Sequence, residues 1–249
     1  MFSYTQQDHE GGWNLNRNSI LLSWQQIPHH TISEILCNTN FDGVVLDTEH
    51  GCYNNESLYL CIQTITNKNK KCFVRLTEIN KTLIRYCLDA GVDGLIFSTV
   101  ETRKQCEDIH NFCNFPIHGG SRGLGLVRAN SWGKDNNLIG KKPILIAQIE
   151  TEAAVSNLRE ITSFDFDYYL IGPYDLSMSM GIPAQFDNNI FDSKIKQIHD
   201  MINKEKLGFH IPCNVQSQID KYEDYGLLAL GMDTTLLQEG LTALETIKC

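Results

Sequence analysis

The chain has 249 residues, 42% of them hydrophobic and 20% charged. These proportions are ordinary for a globular protein, and a chain this long buries roughly 75% of its unfolded surface without needing staples. A formal net charge of −9 argues against a general nucleic-acid binder, which clusters Lys and Arg. It leaves room for a small anionic substrate held by one or two local cations.

The nine cysteines are odd in number and include no Cys-x-x-Cys, so they read as reduced, mostly buried thiols of a reducing compartment. The first residues are polar and lack the apolar segment of a signal peptide. No apolar run approaches the ~20 residues needed to cross a bilayer. The expectation is a cytoplasmic protein without membrane or nucleic-acid partners.

In chain order, short apolar runs fall at Ile20–Trp24, Gly43–Asp47, Cys72–Leu76, Gly94–Ser98, Ile144–Ile149, Tyr168–Ile171, Leu207–Ile211 and Leu227–Gly231. Each is nearly continuous rather than alternating, as parallel strands buried on both faces should be. Segments with apolar spacing near 3.6 lie between them: Thr31–Asn38, Asn55–Thr66, Lys81–Ala90, Glu101–Phe112, Glu152–Ile161, Ser193–Lys204, Val215–Tyr225 and Thr234–Ile247. Eight such units predict an α/β fold, a (β/α)8 TIM barrel in one domain over 1–249; an open doubly wound sheet is the alternative. The stretch Phe115–Lys142 shows no clear helix, and a loop that long is usually functional. Its glycines are spaced G-x-x-G-x-G, which is not a dinucleotide fingerprint.

Chemistry in such barrels sits at the C-terminal strand ends. Those ends bring Asp47, Glu49 and His50 after the second strand, Arg75 in the third, Gln148 and Glu150 at the fifth, and Asp175 after the sixth. Each has a plainer reading. His50 could be a turn residue satisfied by Asp47, Arg75 a structural ion-pair partner, Glu150 a helix cap, and Asp175 a turn or N-cap residue. Together they crowd several carboxylates at one mouth, which is costly unless a cation compensates. Glu150 and Asp175 supply hard oxygen donors, too few for a closed structural site but suited to an octahedral ion with open positions. Mg2+ or Mn2+ is expected, with Co2+ or Zn2+ as alternatives, acting as a Lewis acid on a substrate carbonyl. Arg75 offers a fixed fork for a carboxylate or enolate, and His50, oriented by Asp47, can transfer protons near neutral pH.

The strings "FDGVVLDTEHG", "FVRL", "CLDAGVDGL", "SRGLGLVRANSWG", "QIET" and "YLIGPYDLSMSMG" occur in this order and resemble the HpcH/HpaI family of metal-dependent class II pyruvate aldolases, of the phosphoenolpyruvate/pyruvate barrel superfamily. The resemblance runs from about Ile20 to the end. It implies reversible cleavage of a 4-hydroxy-2-oxo acid to pyruvate and an aldehyde. By position it makes His50 and Asp47 a catalytic dyad, Arg75 the enolate stabiliser, and Glu150 and Asp175 the metal ligands. Gln148, Gly172, Pro173 and Tyr174 become the pyruvate pocket, and Trp24 a pocket aromatic. Asp89 becomes an acidic residue serving a neighbouring subunit's site, and Glu49 keeps no assigned role. The family also implies a homo-oligomer, trimer or hexamer, with the helix at Thr234–Ile247 exchanged between neighbours.

The chain departs from the family at His210 and Pro212, where relatives carry a small apolar pocket residue, and at Tyr174, often alanine. Residues 1–19 read as an N-terminal extension. Competing functions are an oxaloacetate decarboxylase, a CoA-thioester lyase, for which no basic nucleotide-binding cluster is evident, and a non-catalytic binding barrel.

Overall fold

Eight parallel strands, joined in sequence order and closed by pairing of the first with the last, form a barrel in a computed structural model that describes residues 19–245. The expected extension, apart from Ser19, and the chain beyond Glu245 lie outside the described residues. The strands are β1 (Ile20–Gln25), β2 (Gly43–Asp47), β3 (Lys71–Leu76), β4 (Gly94–Phe97), β5 (Ile144–Ile149), β6 (Tyr168–Ile171), β7 (Leu207–Ile211) and β8 (Leu227–Leu230). Each falls where the apolar runs predict one.

Strand alternation produces two cores. In β2, Val44 and Leu46 face outward into a layer shared with the helices, while Val45 joins Leu22, Phe73, Ile96, Ile146, Leu170 and Leu227 inside the barrel. Burial of each such side chain contributes ~1.5–3 kcal/mol. One step further along the same inward rows the side chains turn polar: Asp47 follows Val45, Arg75 follows Phe73, and Gln148 follows Ile146. The apolar interior therefore ends in a polar layer at the C-terminal mouth.

Outside run α1 (His30–Cys37), α2 (Asn55–Asn67), α3 (Lys81–Ala90), α4 (Arg103–Cys113), α5 (Glu152–Ser156), α6 (Leu158–Ile161), α7 (Pro173–Ser179), α8 (Asn189–His199), α9 (Val215–Gln218) and α10 (Asp233–Glu245). Asn54 with Ser57, and Thr102 with Gln105, close capping boxes at the starts of α2 and α4, each satisfying two orphan backbone donors.

Three helical expectations change. The segment Glu152–Ile161 divides at Asn157, whose side chain donates to the carbonyl of Glu101 instead of continuing the helix. The segment Ser193–Lys204 starts earlier, at Asn189 where Asn188 caps it, and ends at His199. Only the first turn of Val215–Tyr225 is α-helical; Ile219–Lys221 tightens to a 3-10 turn as Tyr222 stacks on Phe209 at 3.7 Å and Tyr225 is buried beside it. The stretch 115–142 contains three 3-10 turns. Arg128 ties it to the carbonyl of Ala90 at the end of α3, and Ile144 that follows it pairs with Asp93 at the start of β4. This long loop therefore packs at the N-terminal end of the barrel, opposite the mouth.

Candidate active site

At the mouth a pocket of about 270 Å³ opens between β7, β8 and the first turn of α7. His50, Arg75, Gln148, Gly172, Pro173, Tyr174, Asp175 and His210 line it, so most of the predicted residues meet in one place.

The Arg75 guanidinium is its most constrained member. Nε and Nη2 donate to the two oxygens of Asp47 at 2.8 and 2.6 Å. Nη1 lies 2.8 Å from Glu49 Oε2, which also accepts from Ser98 Oγ at 2.7 Å. The β2–β3 register places Asp47 directly opposite Arg75, so the bidentate pair follows from strand pairing alone. Trp24 Nε1 and Gln26 Nε2 donate to Asp47 as well, at 3.1 and 3.2 Å. Burial pushes the Asp47 carboxyl up, but the Arg75 hydrogen bonds and charge outweigh it and hold the pKa down at about 2.

This geometry corrects the expected Asp47–His50 dyad. Asp47 accepts from the backbone N–H groups of Glu49 and His50, at 3.1 and 3.3 Å, and its remaining bonds go to Arg75, Trp24 and Gln26. It shapes the turn that presents His50 and does not hold the imidazole, which is exposed at the pocket. Gly51 closes that turn, since a Cβ there would collide with the Asp47 carbonyl oxygen. Trp24 is likewise not a pocket wall. It lies buried underneath, with Arg75 5.0 Å from its ring centroid and His210 stacked on it at 4.1 Å. Asp89, near the end of α3, pairs with Arg122 at 3.1 Å and lines no part of this mouth.

Glu150 occupies the opposite side, 2% exposed. It does not cap the helix behind it, where Thr151 is the cap. Its Oε1 accepts from the Thr99 backbone N–H at 2.6 Å and hydroxyl at 2.8 Å, and its Oε2 accepts from the Gln148 amide. Burial, reinforced by the charges of Glu49 and Asp175 against the Thr99 hydrogen bonds, raises the Glu150 carboxyl to about 7. Gln148 Oε1 is buried and unpaired. Asp175 stands in the first turn of α7, whose N-cap, Gly172, provides no side-chain cap. A Cβ on Gly172 would lie 2.7 Å from Gln148 Nε2 and 2.8 Å from Glu150 Oε2, so only glycine leaves both undisturbed.

Residues 21–220 match the HpcH/HpaI aldolase/citrate lyase family. The chain belongs to this family. It is similar to the 2-keto-3-deoxy-L-rhamnonate aldolases of Escherichia coli K12 (28% identity over 220 residues, 84% of this chain and 81% of that enzyme) and Shigella boydii serotype 4 (27% over 228 residues, 88% and 84%). Its fold is that of an HpcH/HpaI aldolase/citrate lyase family protein from Burkholderia cenocepacia, with a TM-score of 0.83 at 19% identity over 93% of this chain and 96% of that one. The citrate synthase SbnG superposes with a TM-score of 0.80 at 26% identity over 92% of each chain. This HpcH/HpaI chain is accordingly an enzyme of the lyase class.

The donor set fits a divalent cation of the kind class II aldolases use. Among the described residues no three His, Cys, Asp or Glu side chains converge into a ready cage. What the HpcH/HpaI barrel offers is an open pair, Glu150 and Asp175, beside an unpaired Gln148 oxygen. The buried Glu150 carboxyl and Gln148 oxygen, with the exposed Asp175 carboxylate beside them, call for positive charge, and open positions suit a hard ion that also binds substrate.

Several site residues escape sequence reasoning. Thr99 has φ of 51°, a strained state for a β-branched residue, and thereby directs two donors at one Glu150 oxygen. Asp233 binds the backbone N–H groups of Gln26 and Ile27 at 2.9 and 2.8 Å, tying the last helix to the end of β1. Gly172-Pro173 does signal a helix start, proline being favoured at the first helical position; that signal would have located α7.

Proposed function

We propose that this chain is a divalent-metal-dependent aldolase that reversibly cleaves a 4-hydroxy-2-oxo acid to pyruvate and an aldehyde. The observation carrying this reading is Asp175 at the pocket, with the Glu150 carboxyl buried behind it and raised by that burial and by the charges of Glu49 and Asp175, in the same mouth as a guanidinium fixed by two other carboxylates.

When bound by Glu150 and Asp175, magnesium or manganese would supply Lewis-acid polarisation of the 2-oxo group. Gln148 and the uncapped first turn of α7 at Gly172–Tyr174 face the space for the 2-oxo acid end of the substrate, with helix N–H groups available to its carboxylate. His50, at the pocket rim, takes the proton from the C4 hydroxyl. The C3–C4 bond then breaks, the aldehyde leaves, and the electron pair moves onto the pyruvate fragment as its enolate. Arg75 stabilises the negative charge on the enolate oxygen, and its two carboxylate partners hold it in place before that charge develops. Asp47 and Glu49 are positioning residues in this scheme. Return of the proton held by His50 to C3 gives pyruvate and restores the neutral imidazole. Among the described residues no lysine lines the pocket, and the proposed chemistry needs no Schiff base.

Assembly is part of the reading. α10 exposes Leu236, Leu237, Leu241 and Leu244, an apolar row suited to exchange between subunits of a trimer or hexamer, in which Asp89 would serve a neighbour's site. No helix among the described residues is long and apolar enough to cross a membrane.

The test is exchange of the pyruvate methyl protons for deuterium in the presence of Mg2+, Mn2+, Co2+ or Zn2+. Exchange dependent on the ion and abolished by EDTA is expected. Absence of exchange with every ion overturns the proposal.

A further inference from the structure

The segment 115–142 has no role in the aldol scheme, yet its charge is unlike that of the rest of the chain. It holds five Lys or Arg and one Asp, in a protein of net charge −9. At the N-terminal end of the barrel it closes one side of a cavity of about 220 Å³, which Asp93 and Pro143 border just before β4 and β5. Arg122, Lys141 and Lys142 line this cavity, and Leu88 and Leu138 give it an apolar wall.

Arg122 is the least satisfied of these residues. It is 5% exposed, and its guanidinium carbon lies 4.5 Å from the centre of the Phe115 ring. Nη2 donates to Asp89 at 3.1 Å, the one hydrogen bond of this guanidinium among the described residues, and Nε is buried without a partner. An arginine carries five N–H donors in a fixed fork, so burying one with so few acceptors is costly unless an anion completes it. Lys141 and Lys142 are exposed, and neither makes an ion pair among the described residues. The two carboxylates of the lining are engaged by backbone donors: Asp93 Oδ2 accepts from the Cys72 N–H at 2.9 Å, and Asp135 Oδ1 from the Asn137 N–H at 2.8 Å. The carbonyl of Ala90, at the end of α3, is taken by Arg128 at 2.8 Å.

The donor types narrow the ligand. A planar carboxylate is satisfied by one arginine fork, whereas an ion with several oxygens in different directions can use a guanidinium and two flexible ammonium groups together. We propose that this cavity is a second ligand site, which binds a small phosphate-type dianion, either free or as the phosphate group of a monoester. The site is independent of the aldol reaction, because it lies at the opposite end of the barrel from Arg75 and Asp175.

Isothermal titration calorimetry of the full, metal-free chain with inorganic phosphate and with glycerol 3-phosphate tests the proposal. In ~0.1 M NaCl, attraction beyond about 10 Å is screened, so diffuse binding to the basic segment is suppressed. One saturable site per chain is expected, with a Kd of about 1 mM or tighter. Tighter binding of the ester assigns the site to phosphate monoesters, tighter binding of phosphate assigns it to the free ion, and either supports the proposal. Lys141→Gln and Lys142→Gln should each weaken binding ~10-fold or more, the worth of one hydrogen bond to a charged group. Lys134→Gln, in the same segment but outside the lining, should change it less than ~2-fold, as a distant exposed charge does. Arg122→Gln should abolish saturable binding, and the two exposed lysines decide if that buried variant does not fold. Absence of saturable binding by both probes, binding unchanged in the Lys141 and Lys142 variants, or an equal loss in Lys134→Gln overturns the proposal.

Discussion

The two sides of the barrel mouth are built on opposite electrostatic plans. On the β1–β3 side, Arg75 sits between Asp47 and Glu49, and Trp24, Gln26 and Ser98 complete their hydrogen bonding. On the β5–β6 side, Glu150 and Asp175 have no basic side chain between them, and a neighbouring amide oxygen is unpaired. The first side is finished by the fold and can hold a fixed positive fork. The second is left for a ligand to finish, which is how an active site differs from a structural ion-pair network on the same ring of strands.

Substitutions on the two sides should therefore separate activity from stability. Glu150→Ala is expected to abolish ion-dependent pyruvate exchange, a loss on the order of 10³-fold given the several kcal/mol a Lewis acid contributes. Thermal unfolding of its metal-free form should be no worse than wild type, because a buried, unneutralised carboxylate has been removed. Arg75→Met should reduce exchange by ~10²–10³-fold, as loss of one oxyanion donor does. It should also destabilise the fold by ~3–5 kcal/mol, since Asp47 and Glu49 lose their shared partner. If Arg75→Met left stability intact, the contrast between the two sides would be wrong.

The pH dependence should carry opposite signs on the two sides. The pKa of Asp47 is depressed to about 2, so its stabilisation is present above its unfolded value near ~4 and is lost as pH falls through about 2. A depression of this size is worth on the order of 2–3 kcal/mol, and Asp47→Asn should remove it from urea unfolding curves recorded at pH 7, 4 and 3. Glu150 is raised from 4.5 to about 7. The folded, metal-free chain then binds the proton more tightly than the unfolded one, and stability falls as pH rises between those values. Saturating Mn2+ at pH 7.5 should reverse that loss, by ~2.7 kcal/mol at a hundredfold excess over Kd. A rising stability between pH 4.5 and 7 in the metal-free protein, once the Asp47 contribution is complete, would refute the assignment of Glu150 as an unneutralised carboxylate.

The barrel is legible in the sequence because buried parallel strands leave continuous apolar runs, and Val44–Leu46 or Ile144–Ala147 allow little else. The identities of the mouth residues are legible too, since polar types follow those runs in phase. Their partners are less so. Adjacency in sequence suggests that Asp47 serves His50, whereas pairing between β2 and β3 delivers it to Arg75, and register between strands is not written in either strand alone. Thr99 is hidden for a different reason: its role rests on a positive φ that threonine does not favour, so composition points away from it. The helix after β7 is over-read because Tyr222 and Tyr225 share helical spacing but serve an aromatic stack with Phe209.

The smallest perturbation tests how closely the unfinished side is set. Gly172→Ala adds one methyl group, whose carbon would stand 2.7 Å from Gln148 Nε2 and 2.8 Å from Glu150 Oε2. Both neighbours are buried and hydrogen-bonded to each other, so one of them must shift by several tenths of an ångström. The backbone itself tolerates alanine, with φ of −97°, which restricts the damage to the two side chains. Apparent affinity for Mn2+, read by titrating pyruvate exchange, should weaken ~10-fold, the lower end of what displaced supporting groups cost a metal site. The Arg75 side, untouched by the methyl, should keep its share of acid stability. Equal losses of metal affinity and acid stability in Gly172→Ala would mean that the two sides of the mouth are one coupled network rather than two.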